Sequence, residues 1–88
     1  MKVVLVTGGF DPLHSGHIAY FKAAKALGNL LVVGLNSDAW LERKKGRAFM
    51  PLSERFSLVS ALKVVDAVLT YNDDDGSSCD AIRLAKQR

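Results

Sequence analysis

His14 and His17, three residues apart and flanking Gly16, are the pair in this chain whose types and spacing could do chemistry. They close the stretch Thr7-Gly8-Gly9-Phe10-Asp11-Pro12-Leu13-His14-Ser15-Gly16-His17, which follows directly on the apolar run from Val3 to Val6. A strand, a glycine turn and then a helix would place both imidazoles on nearly one face of the first helical turn. The free backbone N–H groups and the positive end of the helix dipole already favour an anion there. The chemistry this suits is the handling of phosphates, above all those of a nucleoside triphosphate.

The elements that must position this pair follow from hydrophobic periodicity. Lys2 to Thr7 is a Val-rich run of the kind found in a strand covered on both faces. From Gly16 to Leu27, Ile18, Phe21, Ala24 and Leu27 recur at helical spacing, and Gly28-Asn29 supplies a stop. Leu30 to Leu35 reads as a second buried strand, and Asn36-Ser37-Asp38 can cap a short helical segment from Ala39 to Leu41. The basic segment Arg43 to Met50 reads as a loop. Pro51 and Ser53 open a third helix carried by Phe56, Leu58, Val59 and Leu62, with Ser53 as a candidate cap. Val64 to Thr70 is a third strand, Asn72 to Ser77 a polar connection, and Cys79 to Lys86 a last helix with Ile82 and Ala85 inward. The expected architecture is one α/β domain with a Rossmann-like, three-layer parallel sheet in β-α-β-α-β-α order. Right-handed crossovers would put ligands at the carboxyl ends of the strands, where the Gly8 to His17 turn falls.

Other phosphate and metal motifs fail on spacing. Gly8 and Gly9 are adjacent with no third glycine in place, which excludes the dinucleotide fingerprint, and no Lys-Ser or Lys-Thr pair follows Gly16 as a Walker loop requires. A zinc site would need a second spaced ligand pair beside the two histidines, and the chain has none. No metal held by the protein alone is expected. The 88 residues are 49% hydrophobic and 24% charged, ordinary for a globular domain. The net charge of +3 is scattered apart from Arg43-Lys44-Lys45-Gly46-Arg47 and Lys86-Gln87-Arg88, so anionic small molecules fit at least as well as nucleic acid, which ranks low. A single cysteine, no apolar run near the roughly 20 residues of a membrane span, and a start that leads straight into a strand make the cytoplasm the expected address.

The histidine pair after Gly-Gly-Phe-Asp-Pro resembles the nucleotidyltransferase superfamily with the HxGH signature. Val33 to Asp38, Arg43 to Arg47, Pro51-Leu52-Ser53-Glu54-Arg55 and Val65-Asp66 are similar to its cytidylyltransferase and heptose-phosphate adenylyltransferase branch. The resemblance implies attack of an acceptor phosphate oxygen on the α-phosphorus of CTP or ATP, with pyrophosphate leaving. CMP or AMP would pass to a phosphorylated polyol or sugar, and Mg²⁺ would arrive with the nucleotide. It also implies that His14 and His17 supply donors to the reacting phosphates, with Lys44 as a further catalytic group. Gly8, Gly9, Phe10, Asp11, Asp38, Lys45, Arg55 and Asp66 would contact nucleotide or phosphate.

The charged residues other than Asp11 have plainer alternatives. The lysines fit a solvated loop, Arg55 a carboxylate partner such as Glu54 or plain solvent, Asp38 a helix cap, and Asp66 the start of a strand. Trp40 fits a hydrophobic anchor or a flank for the base. In that superfamily further strands follow, with a Ser/Thr-rich phosphate-binding motif, so the chain is expected to be C-terminally truncated. The first strand would then be an exposed edge, and a homodimer is expected. A non-catalytic nucleotide-binding or assembly module is the alternative from another class. An RNA-associated reading, prompted by the similar signature of class I aminoacyl-tRNA synthetases, finds no further support in the sequence.

Overall fold

The computed structural model describes residues 2–71 together with Asp73 and Ile82. Among them the elements run β1 (Val3–Gly8), α1 (Ser15–Lys25), β2 (Leu30–Leu35), α2 (Asp38–Lys45), α3 (Leu52–Ser60) and β3 (Ala67–Thr70). The strands form one parallel sheet in the order β1-β2-β3, with Val3 beside Leu30 through to Gly8 beside Leu35, and Val32 beside Ala67 through to Leu35 beside Thr70. This is the expected Rossmann-like α/β fold. Among the described strands β1 forms one edge, the position from which the expected pairing with a second copy would start.

Strand alternation sorts the apolar side chains to two faces. Val4, Val6, Leu31, Val33, Leu35 and Val68 meet Phe21 and Ala24 of α1 and Val59 of α3 on one face. Leu5, Val32, Ala67, Leu69 and Tyr71 gather on the other. The middle strand β2 is buried from Leu31 onward because both neighbours and both faces cover it. Most of the Asn72 to Ser77 connection and of the Cys79 to Lys86 helix lies outside the described residues. Ile82, expected inward, is 48% exposed.

Several boundaries move, each for a local reason. Helix α2 takes in Arg43 to Lys45, the start of the basic segment expected as a loop, and the loop begins at Gly46. Arg43, Lys44 and Lys45 occupy its last turn, where cations suit the helix dipole, and Gly46 closes it in the left-handed region at φ 91°. Its cap is Ser37, whose hydroxyl accepts the Trp40 N–H at 3.0 Å, and Asp38 is already helical. Helix α3 starts after Pro51 without a side-chain cap, so Ser53 does not serve as one. Its inward row is Leu52, Arg55 and Val59, continued by Leu62 just past its end, while Phe56 and Leu58 are about two-fifths exposed, at 40% and 41%. Val64 and Val65 precede β3 in a turn closed by the Val65 N–H on the Leu62 carbonyl at 3.1 Å, and both pack against the core.

Asp66 fastens the start of β3. Its N–H donates to the Leu31 carbonyl at 3.0 Å, and its carboxylate accepts the Leu31 N–H at 2.7 Å and the Lys25 ammonium. That is the amino end of the sheet, opposite the histidine turn. The expectation that Asp66 contacts nucleotide is therefore corrected: its carboxylate holds strand to strand. The Lys25 ammonium first, then the Leu31 N–H, keep the carboxyl below its ordinary value.

Candidate functional site

At the carboxyl end of β1 the Gly8 carbonyl accepts the Asn36 N–H at 3.0 Å, which draws together the loops leaving β1 and β2. Phe10 follows at φ 50°, with its side chain buried in the core, and the Asp11–Pro12 peptide is cis. The Phe10 ring stands edge-on to His17 at 5.1 Å and to Phe21 at 5.0 Å, so an aromatic contact seats the second histidine.

The two imidazoles cap α1 for each other. His14 is the N-cap, its Nδ1 accepting the Gly16 N–H at 3.0 Å, while the His14 N–H donates to Nδ1 of His17 at 3.2 Å. The rings lie 3.9 Å apart. A nitrogen that accepts carries no proton, so in each neutral ring the N–H is at Nε2. Burial, and then the neighbouring His14 ring, lower the pKa of His17 below its ordinary value. The first turn of α1 contains no acidic residue. Two Nε2–H donors at the positive end of a helix without a carboxylate make a seat for an anion.

The N-terminus of α2, at the same end of the sheet, is arranged the opposite way. Asp38 stands in its first turn, and Asp73 accepts the Ser37 N–H at 2.8 Å and the Ser37 hydroxyl at 2.7 Å. Asn36 adds its side-chain amide to Asp73 at 3.1 Å and to the Tyr71 hydroxyl at 2.9 Å. Burial pushes the Asp73 carboxyl up, but the donors from Ser37 and Asn36 outweigh it and the net displacement is downward. With carboxylates already held there, the first turn of α1 remains as the electrostatically open seat.

Arg55 lies beneath these loops with no exposed surface. Its Nε donates to the Met50 carbonyl at 2.9 Å, its Nη1 to the carbonyls of Gly9 at 3.0 Å and Asn36 at 2.7 Å, and its Nη2 to Asp38 at 2.6 Å. A guanidinium enclosed in this way braces the site from within, so the expected phosphate contact of Arg55 is corrected. Asp11 does similar work beside it, with its side chain covered. Its carboxylate accepts the N–H groups of Phe49 at 2.7 Å and Met50 at 2.6 Å, and Lys45 pairs with it at 3.0 Å. Burial raises the Asp11 carboxyl, the Phe49 N–H, Lys45 and the Met50 N–H lower it more, and the balance lies below the ordinary value. Lys45 also donates to the Asp11 carbonyl at 2.5 Å and stands over the Phe49 ring at 4.5 Å. Lys44 is exposed, with its ammonium 5.4 Å from the Trp40 ring.

The structure thus gathers Gly8, Gly9, Phe10, Asp11, His14, His17, Asp38, Lys45 and Arg55 at one end of the sheet and leaves Asp66 at the other. A family model for cytidylyltransferase-like proteins matches residues 5–87. The chain belongs to this family. It is 44% identical over 75 residues to the bifunctional protein HldE of Helicobacter pylori, and likewise 44% identical to that of Escherichia coli, covering 83% of this chain and 16% of each relative. It also superposes on the crystal structure of a lipopolysaccharide core biosynthesis protein from Thermoplasma volcanium with a TM-score of 0.80 at 39% identity, over 85% of this chain and 62% of that one. The cytidylyltransferase-like chain therefore spans less than two thirds of the length of each.

Two members of this loop network are not among the residues the sequence singles out for the site. Asp73 falls in the stretch that composition marks only as a polar connection, yet it is 1% exposed with both carboxylate oxygens hydrogen-bonded. Asn36 stands in the capping group Asn36-Ser37-Asp38, and its amide instead joins Tyr71 to Asp73. A signal was present for the basic turn: cations followed by Gly46 form a helix C-terminus pattern.

Proposed function

We propose that this chain is the nucleotide-handling part of a nucleotidyltransferase that passes CMP or AMP from CTP or ATP to a phosphorylated sugar or polyol. The observation that carries the reading is the pair of stacked imidazoles at the acid-free N-terminus of α1, each with Nδ1 tied to backbone and Nε2–H left to donate. An acceptor phosphate oxygen forms a bond to the α-phosphorus while the bond to the bridging oxygen of pyrophosphate breaks. The nucleophile is already an anion, so no proton need be removed. What the protein must supply is alignment and charge stabilisation, which donors fixed before the reaction provide at no reorganisation cost. Family membership and the identity to HldE proteins support the same class of reaction.

Mg²⁺ fits as a companion of the triphosphate, neutralising its charge. Asp38, with a side chain 41% exposed and Oδ1 on Arg55, keeps its other oxygen available to it, whereas both oxygens of Asp11 are taken. Lys44, exposed with its ammonium beside the Trp40 ring, is a candidate cation for a bound phosphate.

Calorimetric titration of CTP and of ATP, each with Mg²⁺, into the wild type and His17→Ala tests the site. One nucleotide should bind, and the substitution should abolish binding. Pyrophosphate release across a panel of phosphorylated sugars and polyols tests the reaction, and its absence with every acceptor would overturn the enzymatic reading.

A further inference from the structure

One chain of hydrogen bonds joins the loops that leave β1, β2 and β3. It begins at Asp73, beyond β3, where Oδ2 accepts the Ser37 N–H at 2.8 Å and the Asn36 amide at 3.1 Å, and Oδ1 accepts the Ser37 hydroxyl at 2.7 Å. On the other side of the same residue, the Asn36 carbonyl accepts Nη1 of Arg55 at 2.7 Å, and that nitrogen also donates to the Gly9 carbonyl at 3.0 Å. Gly9 leads into Phe10, whose ring abuts His17 at 5.1 Å. Every donor and acceptor along this line is buried or half-buried, so the bonds are little weakened by water.

We propose that Asp73 is a positioning residue for the nucleotide site, one that sets the backbone at Gly9 and Phe10, and with it the seat of His17, through Ser37, Asn36 and Arg55. The inference rests on the nucleotide reading above and adds to it a residue that touches none of the phosphates. A carboxylate is required chemically, because three donors converge on its two oxygens. Asparagine has the same shape but replaces one acceptor by an NH₂ group, which leaves the Ser37 hydroxyl without its acceptor or opposes another donor. The loop then loses its fixed geometry while the apolar core is untouched.

The test compares the wild type, Asp73→Asn and Ser37→Ala, the last removing one of the carboxylate's donors, and with it the cap on the Trp40 N–H, in case the first fails to fold. Backbone amide and imidazole NMR signals of the nucleotide-free chain are recorded first, followed by titration with Mg-ATP and Mg-CTP. In Asp73→Asn the signals of Gly9, Phe10 and His17 should shift although no bond links them directly to residue 73. Affinity for the nucleotide should fall about tenfold, a typical size for coupling through packed networks. Shifts confined to Asn36, Ser37 and their immediate neighbours, or unchanged affinity, would overturn the proposal. A wild type that binds neither nucleotide would overturn the functional reading instead, and the Gly9 and His17 signals would still decide whether the three loops are coupled.

Discussion

Gly16 shows how much of the site is decided within single residues. A Cβ there would lie 2.7 Å from Cε1 and 3.0 Å from Nδ1 of His14, the ring that accepts the Gly16 N–H. The glycine between the histidines is thus a space requirement: the first imidazole folds back over it to cap the helix and expose Nε2. Gly16→Ala separates the two tasks. Alanine gains up to about 1 kcal/mol in helix propensity, and losing the cap costs about 1 kcal/mol, so stability should barely change. Nucleotide affinity should drop by at least about tenfold, since the ring loses its orientation. Paired thermal melts and calorimetric titrations check this, and an unaltered affinity would show that the close approach is irrelevant to binding.

Helix α3 owes its placement to a charged residue in its apolar row. Leu52, Arg55, Val59 and Leu62 follow helical spacing and face inward, but a pattern that admits only apolar residues takes Phe56 and Leu58 beside Val59 and Leu62 and so misses Arg55. Arg55 can sit in the row because three carbonyls and the Asp38 carboxylate meet its donors. Removing it would strand those acceptors. Arg55→Met is expected to cost about 3–5 kcal/mol, the range for breaking a buried charged network from one side, and Arg55→Lys to recover little because an ammonium lacks the planar fork. Urea unfolding of the two variants measures the difference. Near-wild-type stability in Arg55→Met would mean that the brace is dispensable.

Across the whole molecule, ionisable groups at separate places give stability a stepped dependence on pH. His17 has a folded value below 6.5, so its contribution is complete above 6.5 and is lost as pH falls through that lowered value. Asp11, Asp66 and Asp73 have folded values below 3.8, so theirs is complete above 3.8 and disappears only as pH falls further. Denaturant midpoints measured against pH should show a shallow upper decline and a steeper lower one. Asp73→Asn should flatten the lower limb and leave the upper in place, and an unchanged lower limb would remove Asp73 from the account.

At this scale the sequence by itself determined the alternation of strand and helix, the parallel sheet and the glycine turn that carries the two histidines at its carboxyl end. Runs of apolar residues, helical spacing and the two histidines around Gly16 are local patterns, and each reports on its own segment. Tertiary structure decided which polar side chains lie inside. Asp73, Arg55 and Asn36 take most of their partners from 17 to 46 residues away, as Arg55 with Asp38 and with Gly9 and Asn36 with Asp73 do. Such pairings leave no trace in local periodicity, because a buried charge is stable only where distant backbone groups converge on it.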